Sequence, residues 1–258
     1  MTNELAADRY RRAAQILHDV AKPMRVLSAL AWPGELRDQF LDGGAQHLPD
    51  PTYEPIDPSP VMDAVNSARA LLQPGTVVDD WLGREADSLE STVRMLASRG
   101  THEFFEHSRT LYGIPDQPLR FDPATPLELA RRVHDALAEL HEADLAPPVV
   151  RSRTGAQVAA FIETEVREHF GVSAPEVLLV EELSANATAS TSRIKIRRDA
   201  KFTTKDAAQL LNHEAFIHVG TGLNGRAQTD IPILAIGHPG TTRTQEGLAV
   251  YSEYVSGT

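Results

Sequence analysis

The chain has 258 residues, of which 41% are hydrophobic and 24% charged, and its formal net charge at pH 7 is −11. This composition is typical of a globular protein, and the acidic balance argues against a broad nucleic-acid-binding surface, which needs a basic face. Cysteine is absent, which excludes disulfides and thiolate-bound structural zinc, so any zinc site must use histidine and carboxylate ligands.

The first 150 residues are predicted to be mainly helical, because apolar residues recur there at helical spacing. The predicted helices span residues 4–21, 61–73, 84–99, 101–112 and 126–143. Residues 43–60 carry five prolines and are predicted to lack regular structure. The run Ala146-Pro-Pro148 breaks the chain, so we predict a mainly helical N-terminal region, 1–150, and a catalytic region, 151–258.

The catalytic region is predicted to contain both helices and strands. Residues 154–170 form an amphipathic pattern that ends at a glycine, and residues 177–183 and 193–197 are rich in branched residues at strand spacing. Thr203 is predicted to cap a helix that runs to about Val219, with Gly220 and Gly222 as its stop. The predicted fold class is therefore α+β and predominantly helical.

The pattern His213-Glu214-Ala-Phe-Ile-His218, followed by Glu246 in Thr-Gln-Glu-Gly-Leu-Ala, indicates a zinc site. Two imidazoles and one carboxylate can hold a zinc ion and leave a place for water, from which Glu214 can take a proton. Residues five apart on a regular α-helix face directions about 140° apart, against about 40° for residues four apart. We therefore predict a π-type wide turn between Ala215 and His218, because a regular helix would separate the two ligands.

A second H-E-x-x-x-H pattern occurs at residues 102–107. It follows Gly100-Thr101, a helix-start signal, and no Glu-Gly-x-Ala segment follows it at a comparable distance. We interpret this copy as an ordinary helix start whose Phe104 and Phe105 belong to the core.

Three motifs together carry a resemblance to a known family. They are Leu-Asn-His-Glu-Ala-Phe-Ile-His at 211–218, Thr-Gly-Leu-Asn-Gly-Arg-Ala-Gln at 221–228 and Thr-Gln-Glu-Gly-Leu-Ala at 244–249. The chain resembles the QEGLA-motif proteins, labelled flavohaemoglobin expression-modulating, which are bacterial relatives of the microtubule-associated tyrosine carboxypeptidases. The resemblance spans most of the chain. Family members usually continue well beyond the QEGLA helix, so we expect the catalytic region, which stops at Thr258, to be incomplete at its C-terminus.

The resemblance implies a zinc carboxypeptidase with one Zn²⁺ per chain, His213, His218 and Glu246 as ligands and Glu214 as catalytic base. The expected substrate is a peptide or protein C-terminus, although the net charge argues against a very acidic protein tail. The alternative is a non-catalytic regulatory or binding protein that keeps the metallopeptidase fold. A cytoplasmic location is expected, since the N-terminus lacks a signal peptide and no apolar run reaches the roughly 20 residues that cross a membrane.

Roles in substrate binding or catalysis are predicted for several further residues, some of which have a plain structural role as the alternative. If strand 193–197 lines the cleft, a peptide can add alongside it and set its carboxylate against Lys195 or Arg197, but charges also guard solvated edge strands. Glu253 can orient a metal-bound histidine or be a solvated carboxylate. Gly247 and Ala249 are expected to let the Glu246 helix pack closely. Candidate substrate-binding amides are Asn224 and Gln228, and candidate donors to the developing oxyanion are Tyr251, Tyr254, His238 and Arg243.

Overall fold

The computed structural model describes residues 2–138, 140, 150–183 and 185–258. Helices make up 62% of the chain and the sheets are small, which confirms the α+β, predominantly helical class. The chain divides into two compact units: the first is Met1–Ile114 with Asp230–Pro239, and the second is Pro115–Thr229 with Gly240–Thr258. The predicted boundary at residue 150 adjoins residues 141–149, outside the described part, and stays a prediction. None of the helices in the described ranges is long and apolar enough to span a membrane.

The first unit is built from α-helices around two clusters of buried apolar residues. Its helices are α1 (Thr2–Ala21), α2 (Val26–Leu30), α3 (Gly34–Asp42), α4 (Ser59–Arg69), α5 (Val77–Ala97) and α6 (His102–Tyr112), with a 3₁₀ turn at Pro232–Ala235. Leu17, Val65, Leu82 and Ile233 are buried together in the larger cluster. α5 begins seven residues earlier than predicted (77 against 84), because Thr76 caps it by accepting from the Asp79 backbone N–H.

Asp79 is a buried carboxylate that joins α5 to α1. Its side chain is 1% exposed and accepts from both terminal guanidinium nitrogens of Arg9, one of them at 2.7 Å. The Thr76 hydroxyl and the Gln73 backbone N–H also donate to it, at 2.7 and 3.2 Å. The hydrogen bonds from Arg9, followed by those of Thr76 and Gln73, outweigh burial and lower the pKa of Asp79 to about 2.

Replacing Asp79 by asparagine is expected to lower the free energy of unfolding at pH 7 by about 3 kcal/mol, since it leaves the Arg9 cation without its buried partner. Because folding depresses the pKa of Asp79, its contribution is complete above pH 4 and disappears as the pH falls through about 2. The deficit of Asp79→Asn in urea unfolding should therefore shrink by about 2 kcal/mol between pH 5 and pH 2.

The matched control is Asp230→Asn, because Asp230 pairs with the next arginine of α1, Arg11, at 3.0 Å but is 64% exposed. An exposed pair contributes at most about 1 kcal/mol. Equal deficits for the two variants would show that the burial of Asp79 does not matter.

The second unit combines helices with two short sheets. Its helices are α7 (Pro126–Ala138), α8 (Gly155–Phe170), α9 (Thr204–Leu210), a π-helix (Leu211–Val219), α10 (Gly220–Ala227) and α11 (Pro239–Ser256). Its strands are β1 (Arg153–Thr154), β2 (Glu176–Val180), β3 (Ala187–Ser190), β4 (Arg193–Arg197) and β5 (Lys201–Phe202). β1 pairs antiparallel with β5, and the other sheet has the order β2-β4-β3, with β4 parallel to β2 and antiparallel to β3.

The core of the second unit holds one face of the π-helix. Leu211, Ala215 and Val219, spaced four apart, are buried with Ile162 of α8 and Ile194 of β4. Residues between them, including His213, Glu214 and His218, are only half-buried. The apolar face therefore fixes the helix and leaves the polar side chains of the opposite face open to solvent.

The predicted stop at Gly220 and Gly222 is wrong, because α10 continues directly from the π-helix to Ala227. Gly220 has ordinary helical angles, φ −58° and ψ −46°. Gly222 serves packing instead: a Cβ atom there would lie 2.3 Å from the Thr191 hydroxyl oxygen, in the turn between β3 and β4. The sequence predictions also miss α2, α3, β1, β3 and β5, all of which are short.

We expect Gly222→Ala to destabilise the protein by about 1–3 kcal/mol, because overpacking against Thr191 outweighs the roughly 1 kcal/mol gain in helix propensity. Gly247→Ala is the matched control: it is also a helical glycine, but among the described residues nothing outside its own helix backbone lies within 4 Å of its added Cβ. Thermal denaturation should show a lower Tm for the first variant and an equal or higher one for the second. An unchanged Tm for Gly222→Ala would contradict the tight contact.

Candidate metal centre

The two histidines lie on one side of a wide helical turn. Leu211–Val219 is a π-helix, which confirms the predicted widening between Ala215 and His218. In a π-helix the backbone N–H of residue i+5 donates to the carbonyl of residue i, so side chains five residues apart lie nearly above one another. The His213 and His218 rings are accordingly 4.9 Å apart between centroids, with side chains 21% and 18% exposed.

Glu246 of α11 completes the group. His213 Nε2 lies 3.3 Å from Glu246 Oε2, and His218 Nε2 lies 3.6 Å from Glu246 Oε1. One ligand atom from each of the three residues lies within 4.8 Å of the others. Two ligands at about 2.0–2.1 Å from a tetrahedral zinc are roughly 3.3–3.4 Å apart, so the spacing suits one such ion.

The Nδ1 atoms of both histidines, which lie away from Glu246, have hydrogen-bond partners of their own. His213 Nδ1 lies 2.6 Å from Glu253 Oε1, and His218 Nδ1 lies 3.3 Å from Gln245 Oε1. Gln209 donates to the other oxygen of Glu253 at 2.8 Å. When Nδ1 donates its proton in this way, Nε2 keeps a lone pair for a metal. Of the two interpretations of Glu253, the geometry supports the orienting carboxylate, whose side chain is 15% exposed.

Replacing Glu253 by glutamine is expected to lower the affinity for zinc by about 10–100-fold, the usual cost of losing such an orienting group. A glutamine can accept from His213 or Gln209 only with its oxygen, and its NH₂ group would face the second donor. Competition with a chromogenic chelator measures the change. Glu163→Gln, which removes an exposed pair with Arg167, should bind zinc like the wild type. Equal affinity in both variants would mean that Glu253 has no orienting role.

Glu214 is held beside the ligand group on the same helix. Burial, and then the nearby Glu246 carboxylate, raise the pKa of Glu214, while the two histidines and a hydrogen bond from the Ala189 backbone N–H oppose the shift. Ala189 lies on β3, an edge strand of its sheet. A carboxylate with a raised pKa next to a metal group is suited to accept and return a proton.

The second H-E-x-x-x-H copy forms no comparable group. His102 begins α6 and lies 3.6 Å from Glu106, with an 83% exposed side chain. Within the described part of the chain, it is His213, His218 and Glu246 that gather as a metal-binding group. Phe104 packs against a buried cluster, but Phe105 is 49% exposed, so the predicted core role is wrong for Phe105.

The predicted addition of a peptide alongside strand 193–197 is wrong, because β2 and β3 occupy both edges of β4. Arg197 donates to the Asp199 carboxylate at 2.8 Å and to the Leu183 carbonyl at 3.4 Å. Neither Lys195 nor Arg197 lines the cavity beside His213. Asn224 and Gln228 are exposed at the end of α10, also away from the walls of that cavity.

The candidate oxyanion donors are dispersed. Tyr251, Tyr254 and Arg243 are exposed on α11, Tyr254 by 82%, and their roles stay predictions. His238 belongs to the first unit, where its Nε2 lies 2.9 Å from Glu85 Oε2. Ala249 of α11 is buried, and the expected close packing is wrong for Gly247, since nothing in the described part of the chain outside its own helix backbone lies within 4 Å of a Cβ position there.

A cavity of about 510 Å³ adjoins the ligand group. Its lining residues are Arg151, Asn186, Lys201, Phe202, Asp206, Gln209, Leu210, His213, Glu214, Val250 and Glu253. Sequence reasoning missed Gln209, although it lies four residues before His213 and hence one helical turn away. No comparable signal points to Arg151 or Lys201, which are single cations in short segments.

Similarity to known proteins was found at the level of a family. The sequence model of a family described as microtubule-associated tyrosine carboxypeptidase matches residues 38–258. No curated protein and no solved structure matches the chain significantly. The matched range covers well over half of the chain and includes the π-helix and α11.

Proposed function

The chain belongs to the microtubule-associated tyrosine carboxypeptidase family, and from this premise we propose that it is a zinc-dependent metallopeptidase that hydrolyses a C-terminal peptide bond with activated water. The observation that carries this proposal is the convergence of one ligand atom each from His213, His218 and Glu246 within 4.8 Å of one another, with Glu214 on the same helix as the two histidines. A site with two histidines and one glutamate is the donor set of hydrolytic zinc.

His213, His218 and Glu246 would hold the ion. A zinc ion bound there would lower the pKa of a water molecule to about 7 and polarise the peptide carbonyl. Glu214 would accept the proton of the attacking water on its carboxylate and pass it to the departing amine nitrogen. Glu253 would keep the proton of His213 on Nδ1, and Gln245 would do the same for His218.

The presence of Glu214 supports an enzyme over a purely structural metal site. A structural zinc needs four protein ligands and no base, whereas three protein ligands leave a coordination place open. The raised pKa of Glu214 and its half-buried position on the open side of the π-helix suit proton transfer.

The direct test is hydrolysis of a panel of N-acetylated peptides with free C-termini and of their C-terminal amides. The purified chain should release the terminal residue from the free peptides, lose this activity in a chelator and recover it with added zinc. The amides separate a carboxypeptidase from an amidase. If the protein binds zinc stoichiometrically and hydrolyses none of these peptides, the non-catalytic alternative would replace the proposal.

A further inference from the structure

Two cations, Arg151 and Lys201, line the cavity beside His213. Arg151 and Lys201 are both exposed residues of its wall. Within the described part of the chain, neither side chain makes an ion pair or a hydrogen bond. Both are therefore available to a bound molecule.

The acidic groups of the same wall are already engaged. Asp206 accepts from the Thr203 backbone N–H at 2.8 Å, and Glu253 accepts from His213 and Gln209. The remaining acid, Glu214, lies near the Ala189 backbone N–H, which stabilises its carboxylate. Within the described part of the chain, Asp206 and Glu253 thus bond to these groups and form no ion pair with Arg151 or Lys201.

Local structure fixes the backbone positions of Arg151 and Lys201. Lys201 of β5 pairs with Thr154 of β1, and Arg151 lies two residues before β1. Reciprocal capping boxes follow both strands, Thr154 with Gln157 ahead of α8 and Thr203 with Asp206 ahead of α9. Rigid flanking elements reduce the conformational entropy that a binding site loses when it takes a ligand.

The rest of the cavity wall is suited to a peptide end. Phe202, Leu210 and Val250 contribute apolar surface, and His213 and Glu214 lie on the same wall. The volume of about 510 Å³ is in the range of small-molecule sites, which combine apolar walls with a few polar groups. An occupant would place an apolar side chain beside the apolar residues and an anion beside the cations.

We propose that Arg151 and Lys201 bind the α-carboxylate of the residue that is released, and so direct the site to chain ends that carry an apolar terminal residue. This inference rests on the proposed function of the neighbouring metal group. A carboxylate can come from the chain end or from an acidic side chain, and the choice of peptides separates these two sources.

The test uses zinc-loaded Glu214→Gln protein, so that bound peptides stay intact, and isothermal titration calorimetry. The probes are N-acetyl-Ala-Ala-Phe with a free C-terminus, its C-terminal amide, and N-acetyl-Ala-Glu-Phe amide. The free acid should bind at least about tenfold more tightly than either amide, as expected for charge-assisted hydrogen bonds. Arg151→Gln and Lys201→Gln are then added to this protein, singly and together. Each single change should lower the ratio of the affinity for the free acid to the affinity for the amide, and the double change should bring this ratio close to one.

The control is Lys205→Gln, which removes the same charge from an exposed position of α9 outside the cavity wall and should keep the preference. An acid preference that survives the double replacement, or that is absent from the parent protein, would overturn the inference. Equal binding of the glutamate-containing amide and the free acid would assign the site to acidic side chains and also overturn it.

Hydrolysis by the wild-type chain separates this inference from the proposed function. Cleavage with an acid preference that does not depend on Arg151 and Lys201 contradicts the inference and leaves the function standing. A cation-dependent preference without cleavage contradicts the function and supports the carboxylate site.

Discussion

Replacing Glu214 by glutamine is expected to lower kcat for peptide hydrolysis by about 10²–10⁴-fold, the usual contribution of a positioned general base, while zinc stays bound. The amide keeps the size of the side chain and removes the proton acceptor. Glu214 is not one of the three residues that gather as a metal-binding group, so zinc stoichiometry should stay near one per chain. Steady-state kinetics and elemental analysis of the same preparation measure the two quantities.

The chain supplies its own matched control for this experiment. Glu103 occupies the same place in the second H-E-x-x-x-H copy, and it is exposed on α6. Glu103→Gln should leave kcat unchanged. A Glu214→Gln variant with full zinc and near wild-type kcat would remove Glu214 from the mechanism.

Glu246→Gln is expected to lower the affinity for zinc by more than about 100-fold, since losing a ligand should exceed the 10–100-fold cost of losing an orienting group. The carboxylate is the one negatively charged member of the group and lies 3.3–3.6 Å from both Nε2 atoms. Without it, the two imidazoles alone would have to retain the ion. Elemental analysis after dialysis, followed by chelator competition, measures the loss.

Glu106→Gln is the counterpart for this variant, because Glu106 lies 3.6 Å from His102 in the second copy. Its zinc content should equal that of the wild type. Zinc binding should also raise the Tm of the wild-type protein and leave that of Glu246→Gln nearly unchanged, since a ligand that binds only the folded state stabilises it. Retention of wild-type affinity by Glu246→Gln would show that Glu246 is not a ligand.

The site could be predicted from the sequence because its geometry follows from helix periodicity. Two histidines five residues apart cannot face one metal ion from a regular α-helix, and the structure has the π-helix that such a pair of ligands requires. Glu253 follows Glu246 by seven residues, which places both on the same face of α11. Strand β4 alternates apolar and basic residues and has the predicted bounds, 193–197.

Other features depend on contacts that no local pattern records. Gly220 and Gly222 resemble a helix stop, but the approach of Thr191 decides their role. The alternation of β4 does not reveal that strands lie on both its sides. Arg151 and Lys201 come together through a ribbon of two-residue strands, β1 and β5, which is too short to give a periodic signal.

The wide turn also takes up one residue without rotating the helix that follows it. Four residues of a regular α-helix advance the side chains by about 400°, and five residues of the wider turn advance them by nearly the same angle, so α10 presents the same face in both cases. Shortening the interval between His213 and His218 by one residue would give two histidines four apart on a regular helix, a spacing that also suits zinc. The same change would leave Gly222, which follows the second histidine by four residues, against Thr191. The interval between the histidines and the glycine of α10 are thus independent features, and each is expected to change without the other.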